Sequence, residues 1–181
     1  MTDLLSAAAR ICVTAGGFLI QDHKVLLVKH KKLGFWLAPG GHLEPDELPH
    51  QAAEREVFEE TQVQVQAVSA VPLITSSVSQ YLPVPLAVNL HWISQENYQA
   101  RISSPYPDQP HSTSLWHKGC EQHLGYIYLV KAVGDLTIRR DPNESDDIGW
   151  FTLDQINQLD TKEDLKSEMR LAFTFSQQIF N

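Results

Sequence analysis

Apolar positions recur along the chain with two different periods, and each change of period marks an element. Residues 11 to 20, Ile-Cys-Val-Thr-Ala-Gly-Gly-Phe-Leu-Ile, form an apolar run interrupted at Gly16 and Gly17. A run of this length bounded by turn residues reads as a buried strand. Asp22 and His23 make a turn, and Lys24 to Lys29 supplies a second strand, so the two read as a hairpin. Phe35 to Ala38 is a short extended piece that runs into Pro39-Gly40-Gly41. Pro49 suits the first turn of a helix, where its missing N–H costs nothing, and that helix runs to about Thr61. Further strands are expected over 63–68, 71–74, 86–93 and 124–133. Thr152 caps a helix over 153–159. Leu165, Met169, Ala172, Phe173, Ser176 and Phe180 trace one face of a last helix over 161–180. Strands that alternate with two or three helices around one sheet give an α/β sandwich.

Residues 94–123 break this rhythm. The segment is polar, holds Pro105, Pro107 and Pro110, and shows little periodicity. A connection of that length is usually functional or mobile. It reads equally as an insertion beside a substrate cleft or as a solvated loop with no role, within a single domain spanning 1–181.

The helix after Pro49 carries the chemistry. Glu56, Glu59 and Glu60 stand at i, i+3 and i+4. At about 100° per residue they span roughly 100° of helix surface. Ala53 and Val57 make the core-facing stripe, and Glu60 shares that face. A carboxylate there, beside two more, is repulsive and costly to desolvate. A hard divalent cation with oxygen ligands relieves both problems, with Mg²⁺ the first candidate and Mn²⁺ the alternative. A solvated acidic face is the bland reading, and the placement of Glu60 argues against it.

Residues 41 to 63 resemble the signature of the Nudix hydrolases, G-x5-E-x7-R-E-U-x-E-E-x-G-U with U aliphatic. Gly41, Glu47, Arg55, Glu56, Val57, Glu59, Glu60 and Val63 fall at the required spacing. One position departs: Gln62 replaces the late glycine. A glycine there suits a left-handed turn, which costs another residue about 1 kcal/mol. The resemblance implies a mixed central sheet between helices with a catalytic loop-helix-loop. It implies an enzyme that hydrolyses the diphosphate bond of a nucleoside diphosphate linked to another group, with a small nucleotide-type substrate. It also implies that the Gly40 carbonyl joins Glu56, Glu59 and Glu60 as a metal ligand, and that Glu47 pairs with Arg55 to brace the Gly41 loop. Glu59 and Glu60 are the firmest ligands, while Glu56 ligates metal, orients water, or both. In such proteins the general base lies in the signature or in a late loop. Glu144 leads the late-loop candidates, with Asp146, Asp147 and Glu121 behind it. A Nudix-fold sensor that binds a nucleotide without turnover is the competing reading, and the intact glutamate set weighs against it. A homodimer is left open.

Composition narrows the partners. The formal charge of −8 argues against binding long nucleic acid, which needs a basic footprint. It leaves a small anion open, because bound cations reverse the local field. No stretch approaches the roughly 20 apolar residues that span a membrane, and Met1 to Arg10 lacks a basic leader, so a cytoplasmic location is expected. Cys12 and Cys120 are enough for one bridge, but nothing else suggests a disulfide framework, and two buried thiols are the favoured reading. No pair of histidines has a compelling metal-ligand spacing; His123 is taken as a phosphate or substrate contact. Trp36 and Trp150 sit where strand packing explains them.

Overall fold

The computed structural model describes residues 9–180 apart from 70, 114, 115 and 117. In chain order the elements are β1 (Ile11–Gln21), β2 (Lys24–His30), β3 (Trp36–Leu37), β4 (Gly40–His42), α1 (Pro49–Thr61), β5 (Val65–Val68), β6 (Ala87–Trp92), α2 (Gln95–Ile102), β7 (Gln122–Ala132), β8 (Ser145–Thr152), α3 (Leu153–Gln158) and α4 (Glu163–Phe180). The eight strands form one mixed sheet. β1 runs parallel to β7 from Ile11↔Gln122 to Leu19↔Val130, and the other pairings are antiparallel.

The two faces of β1 meet different helices, as its period-2 alternation requires. Ala15 and Leu19 pack with Ala52, Ala53 and Val57 of α1. Phe18 points the other way, into a cluster with Ile156 of α3 and Met169 and Phe173 of α4. The sheet therefore lies between helices, in an α/β/α sandwich. Trp150 and Phe151, neighbours on β8, join opposite clusters, and the Phe151 ring meets Trp36 edge-on at 4.6 Å. The two tryptophans are thus strand-packing residues.

β1 and β2 stay paired only beside their turn, at Ile20↔Val25 and Gln21↔Lys24. Further along, β4 takes the same edge, pairing Thr14↔His42 and Gly16↔Gly40. The approach is close enough that a Cβ on Gly40 would lie 2.7 Å from the Ala15 carbonyl oxygen. Glycine is required there for lack of space. This crossing opens the sheet and seats the Gly40-Gly41 loop against the side of α1.

Four expectations need correction. Residues 71–74 form no strand, and Val71, Leu73 and Ile74 stand exposed without a ladder partner. The polar connection contains a helix, α2, whose cap is Ser94 Oγ accepting from the Asn97 N–H at 3.0 Å. Its inward residues are Asn97 and Arg101, so hydrophobic periodicity could not reveal it. The Glu144–Asp147 carboxylates run into a strand, because β8 starts at Ser145 and pairs along β2. Finally, Cys12 and Cys120 are not free thiols: they form a disulfide with Cα atoms 5.7 Å apart. The register explains it, since the parallel β1–β7 pair carries both cysteines to the same end of the sheet.

Candidate active site

α1 places its glutamates through one guanidinium. Arg55 donates from Nε and Nη2 to the two carboxylate oxygens of Glu47, at 2.8 and 2.9 Å. Its Nη1 donates to Glu56 Oε1 at 2.8 Å and to Glu59 Oε2 at 2.9 Å, and Nη2 also reaches the His42 carbonyl at 3.0 Å. The fork geometry of arginine suits this sharing, which a lysine point charge does not provide. A Cβ on Gly41 would displace the Glu56 carboxylate from the position in which Arg55 holds it.

Among the described residues no arginine pairs with Glu60. It is 6% exposed, and among the described residues its Oε1 accepts from the Gly40 N–H alone, at 2.9 Å. Burial, opposed in part by that hydrogen bond and reinforced by the charges of Glu56, Glu144 and Asp141, pushes its carboxyl up to about 8. Burial also raises Glu56, against the pull of Arg55. Carboxyls held toward their protonated forms by burial and by each other are the electrostatic mark of a cation site. The donors are all hard oxygens, which fits Mg²⁺ or Mn²⁺.

The late loop is laced to the end of the same helix. The Arg139 N–H donates to the Thr61 carbonyl at 2.8 Å and the Asp141 N–H to the Glu60 carbonyl at 3.3 Å. This brings Asp141 and Glu144 to the cleft that Glu56, Glu59 and Glu60 line. Asp146 and Asp147 are exposed on β8 and lie outside the cleft lining. Glu121 is fully buried in an ion pair with Arg101 and accepts from the Arg10 N–H at 2.8 Å. A carboxylate so satisfied holds α2 to β7 and is not available as a base, which removes it from the candidates.

The cleft, of about 920 Å³, continues across the sheet over His42, Asn89, His91, Trp116 and His123. The registers Thr14↔His42, Cys12↔His123 and His91↔His123 put the three histidines on one face. Burial, with Lys118 adding to it, drives His42 down to about 4. Burial, then His42, His91 and Lys118, drive His123 down to about 3. Both rings are therefore neutral at physiological pH.

A family model for the NUDIX domain matches residues 10–172. The chain belongs to the Nudix family. Over 51 residues it is 43% identical to a putative 8-oxo-dGTP diphosphatase of Bacillus subtilis (strain 168), a match covering 26% of this chain and 34% of that protein. The chain thus matches about a third of the length of that curated relative. A hydrolase of the NUDIX family from Clostridium perfringens shares the fold with a TM-score of 0.64 and 21% identity, over 90% of this chain and 95% of that one. A C. elegans Ap4A hydrolase in a binary complex does so with a TM-score of 0.60 and 15% identity, over 93% and 99%.

Within this Nudix domain, Gly40, Gly41, Arg55, Glu56, Glu59, Glu60, Glu144 and His123 line one cleft, and Glu47 stands behind Arg55. Sequence reasoning passed over Asp141, and it set His42 and His91 aside as histidines that could bind metal but lacked a ligand spacing. Asp141 had a signal, its place three residues before Glu144 in one acidic loop. His42 and His91 had none, because only strand register brings them beside His123.

Proposed function

We propose that this chain is a divalent-metal-dependent diphosphate hydrolase that splits the diphosphate bond of a nucleoside diphosphate linked to another group. The observation that carries the reading is Glu60, a carboxyl buried at 6% exposure among other acids with a single N–H to satisfy it. Glu56, Glu59, Glu60 and the Gly40 carbonyl would hold Mg²⁺, with Mn²⁺ the alternative. When bound, the ion neutralises phosphate charge and favours the nucleophilic form of water. Arg55 fixes Glu56 and Glu59 in place. Glu144 takes the proton from the attacking water as its oxygen bonds to phosphorus and the bridging P–O bond breaks. The leaving phosphate departs as an anion.

The group beyond the diphosphate lies over the histidine floor, with His123 and His91 as its polar contacts. A cleft of about 920 Å³ suits a nucleotide-sized ligand. No helix among the described residues is long and apolar enough to cross a membrane, in keeping with a cytoplasmic enzyme of small molecules.

The test is a metal-supplemented screen of nucleotide and nucleotide-sugar diphosphates, with phosphate products as the readout. Glu59→Gln and Glu60→Gln should each abolish most turnover on a responsive substrate. Undiminished release from either would sink the ligand assignment. Tight metal-free nucleotide binding with no hydrolysis across the panel would mark a sensor instead.

A further inference from the structure

We propose that the reduced protein holds one Zn²⁺ ion between Cys12 Sγ, Cys120 Sγ, His42 Nε2 and His123 Nε2, and that the Cys12–Cys120 disulfide is the oxidised, metal-free state of this site. The proposal goes beyond the hydrolytic reading and does not depend on it.

The fold assembles the four residues from three elements that lie side by side. β4 brings His42 opposite Thr14, and β7 brings His123 opposite Cys12. Residues two apart on a strand share a face, so His42, Cys12 and His123 point to the same side of the sheet. Cys120 arrives just ahead of β7, where the N–H groups of Glu121 and Gln122 both donate to the Arg10 carbonyl, at 3.0 and 3.1 Å.

The donor atoms of Cys12, Cys120 and His42 lie within 4.8 Å of one another. His42 Nε2 is 3.4 Å from Cys120 Sγ. In a tetrahedral zinc site, bonds of about 2.3 Å to sulfur and 2.0 Å to nitrogen put neighbouring sulfur and nitrogen donors about 3.5 Å apart. One edge of the tetrahedron is thus already in place. His123 stands just outside this group of three and has to swing inward to become the fourth donor; it is 9% exposed, and its Nε2 has no hydrogen-bond partner among the described residues. Its ring meets His42 edge-on, with centroids 4.8 Å apart. A buried ring nitrogen left unsatisfied needs an explanation, and a metal supplies one. Two thiolates cancel the charge of Zn²⁺ and two neutral imidazoles complete the shell, so the filled site is neutral. Its sulfur and nitrogen donors select a softer ion than the oxygens of Glu56, Glu59 and Glu60 do.

The change of state balances. A dithiol reductant gives two electrons and two protons to the sulfurs; the Cys12–Cys120 bond breaks, and the reductant leaves as its own disulfide. Zn²⁺ then displaces both thiol protons to solvent as two Zn–S and two Zn–N bonds form. The sulfurs must part to about 3.8 Å, the tetrahedral edge for that bond length. In the oxidised state His123 Nε2 is buried without a hydrogen-bond partner among the described residues; in the zinc state it is a ligand.

Cobalt is the probe. The full chain, reduced with a phosphine, stripped by a chelator and kept free of oxygen, is titrated with Co²⁺. The expected result is a near-ultraviolet thiolate-to-cobalt band with visible tetrahedral bands, saturating at one equivalent and bleached by Zn²⁺. Both thiols should become protected from a thiol reagent in step with the band. Cobalt on the glutamates meets only oxygen and gives no such band, so a failed hydrolase reading and a failed zinc site are told apart. Cys12→Ser should lose roughly half the charge-transfer intensity, one of two sulfur bonds being gone. His42→Ala, at a half-buried position, should weaken cobalt binding while leaving the fold intact by circular dichroism. No charge-transfer band from the reduced wild-type chain overturns the proposal, as does an undiminished band in Cys12→Ser or Cys120→Ser.

Discussion

The glutamate wall and the histidine–cysteine floor line one cleft but draw on very different stretches of chain. On the wall, Arg55 reaches Glu47, Glu56, Glu59 and the His42 carbonyl, all close in sequence. The 3.6-residue turn of α1 alone sets the spacing of its carboxylates. On the floor, Cys12, His42, His91 and His123 come from β1, β4, β6 and β7, and only strand register makes them neighbours. The chemistry differs as well: the wall offers hard oxygen and raised acids, the floor sulfur and imidazoles that stay neutral. A site written within one helix can be read from spacing, whereas one written across a sheet has to be seen.

Substitution on each side should separate the two functionally. Glu60→Gln is expected to lower kcat by about 10³-fold, the several kcal/mol of transition-state stabilisation that a metal ligand supports. His91→Ala, on the floor, should instead raise KM by about tenfold, as loss of a ground-state contact does. Steady-state kinetics on one responsive substrate decides it; a kcat collapse in His91→Ala would erase the distinction. The scaffold of the floor has its own weak point. Arg101→Met leaves the Glu121 carboxylate buried without its cation, which costs about 3–5 kcal/mol. Urea unfolding should show that loss, and replacing both partners by apolar residues should recover much of it.

How much was legible follows the same division. The hairpin, α1, α3 and α4 were readable because each has a strong local period or cap, such as Thr152 Oγ1 accepting from the Gln155 N–H at 3.3 Å. The missing glycine put the left-handed turn in question, yet Gln62 adopts it, with φ 61°. α2 escaped because the face it buries is polar, with Asn97 and the Arg101–Glu121 pair in place of leucines. The expected strand at 71–74 failed for the opposite reason: an apolar run found no neighbouring strand. The disulfide was misread because cysteine count says nothing of register. Glu121 was weighed as a base because sequence shows a carboxylate but not the arginine that neutralises it.

Glu60 also makes a prediction about pH. Its carboxyl titrates near 4.5 when unfolded and near 8 in the folded, metal-free chain. Between those values Glu60 gives the native state an extra proton, so its contribution to stability falls as pH rises; below about 6.5 the depressed His42 and His123 act in the opposite sense, which leaves the decline unopposed between about 6.5 and 8. Ionising Glu60 inside the cluster is what the fold resists. Thermal melts of the chelator-treated protein from pH 6.5 to 8 should show the decline, and Glu60→Gln should flatten it. Added Mg²⁺ should reverse it most strongly at the alkaline end, where the site is anionic. A decline unchanged in Glu60→Gln would place the proton elsewhere.

The smallest effect belongs to the end of α1, and it tests whether the wall tolerates its one departure from the family pattern. Gln62 is left-handed, where glycine is easier by about 1 kcal/mol. Its side chain offsets part of that: Nε2 donates to the Glu59 carbonyl at 3.4 Å, near the end of the helix, and at 3.2 Å to the Phe58 carbonyl, which also accepts from the Gln62 N–H at 2.7 Å. Glycine would remove the strain, lose both bonds and add freedom to the unfolded chain. The opposing terms should leave Gln62→Gly within about 0.5 kcal/mol of the parent in urea unfolding. Gln62→Val, which brings a β-branch into the same conformation and caps nothing, should lose more than about 1 kcal/mol. If Gln62→Gly gains a full 1 kcal/mol or so, the amide cap contributes nothing and only the backbone conformation matters.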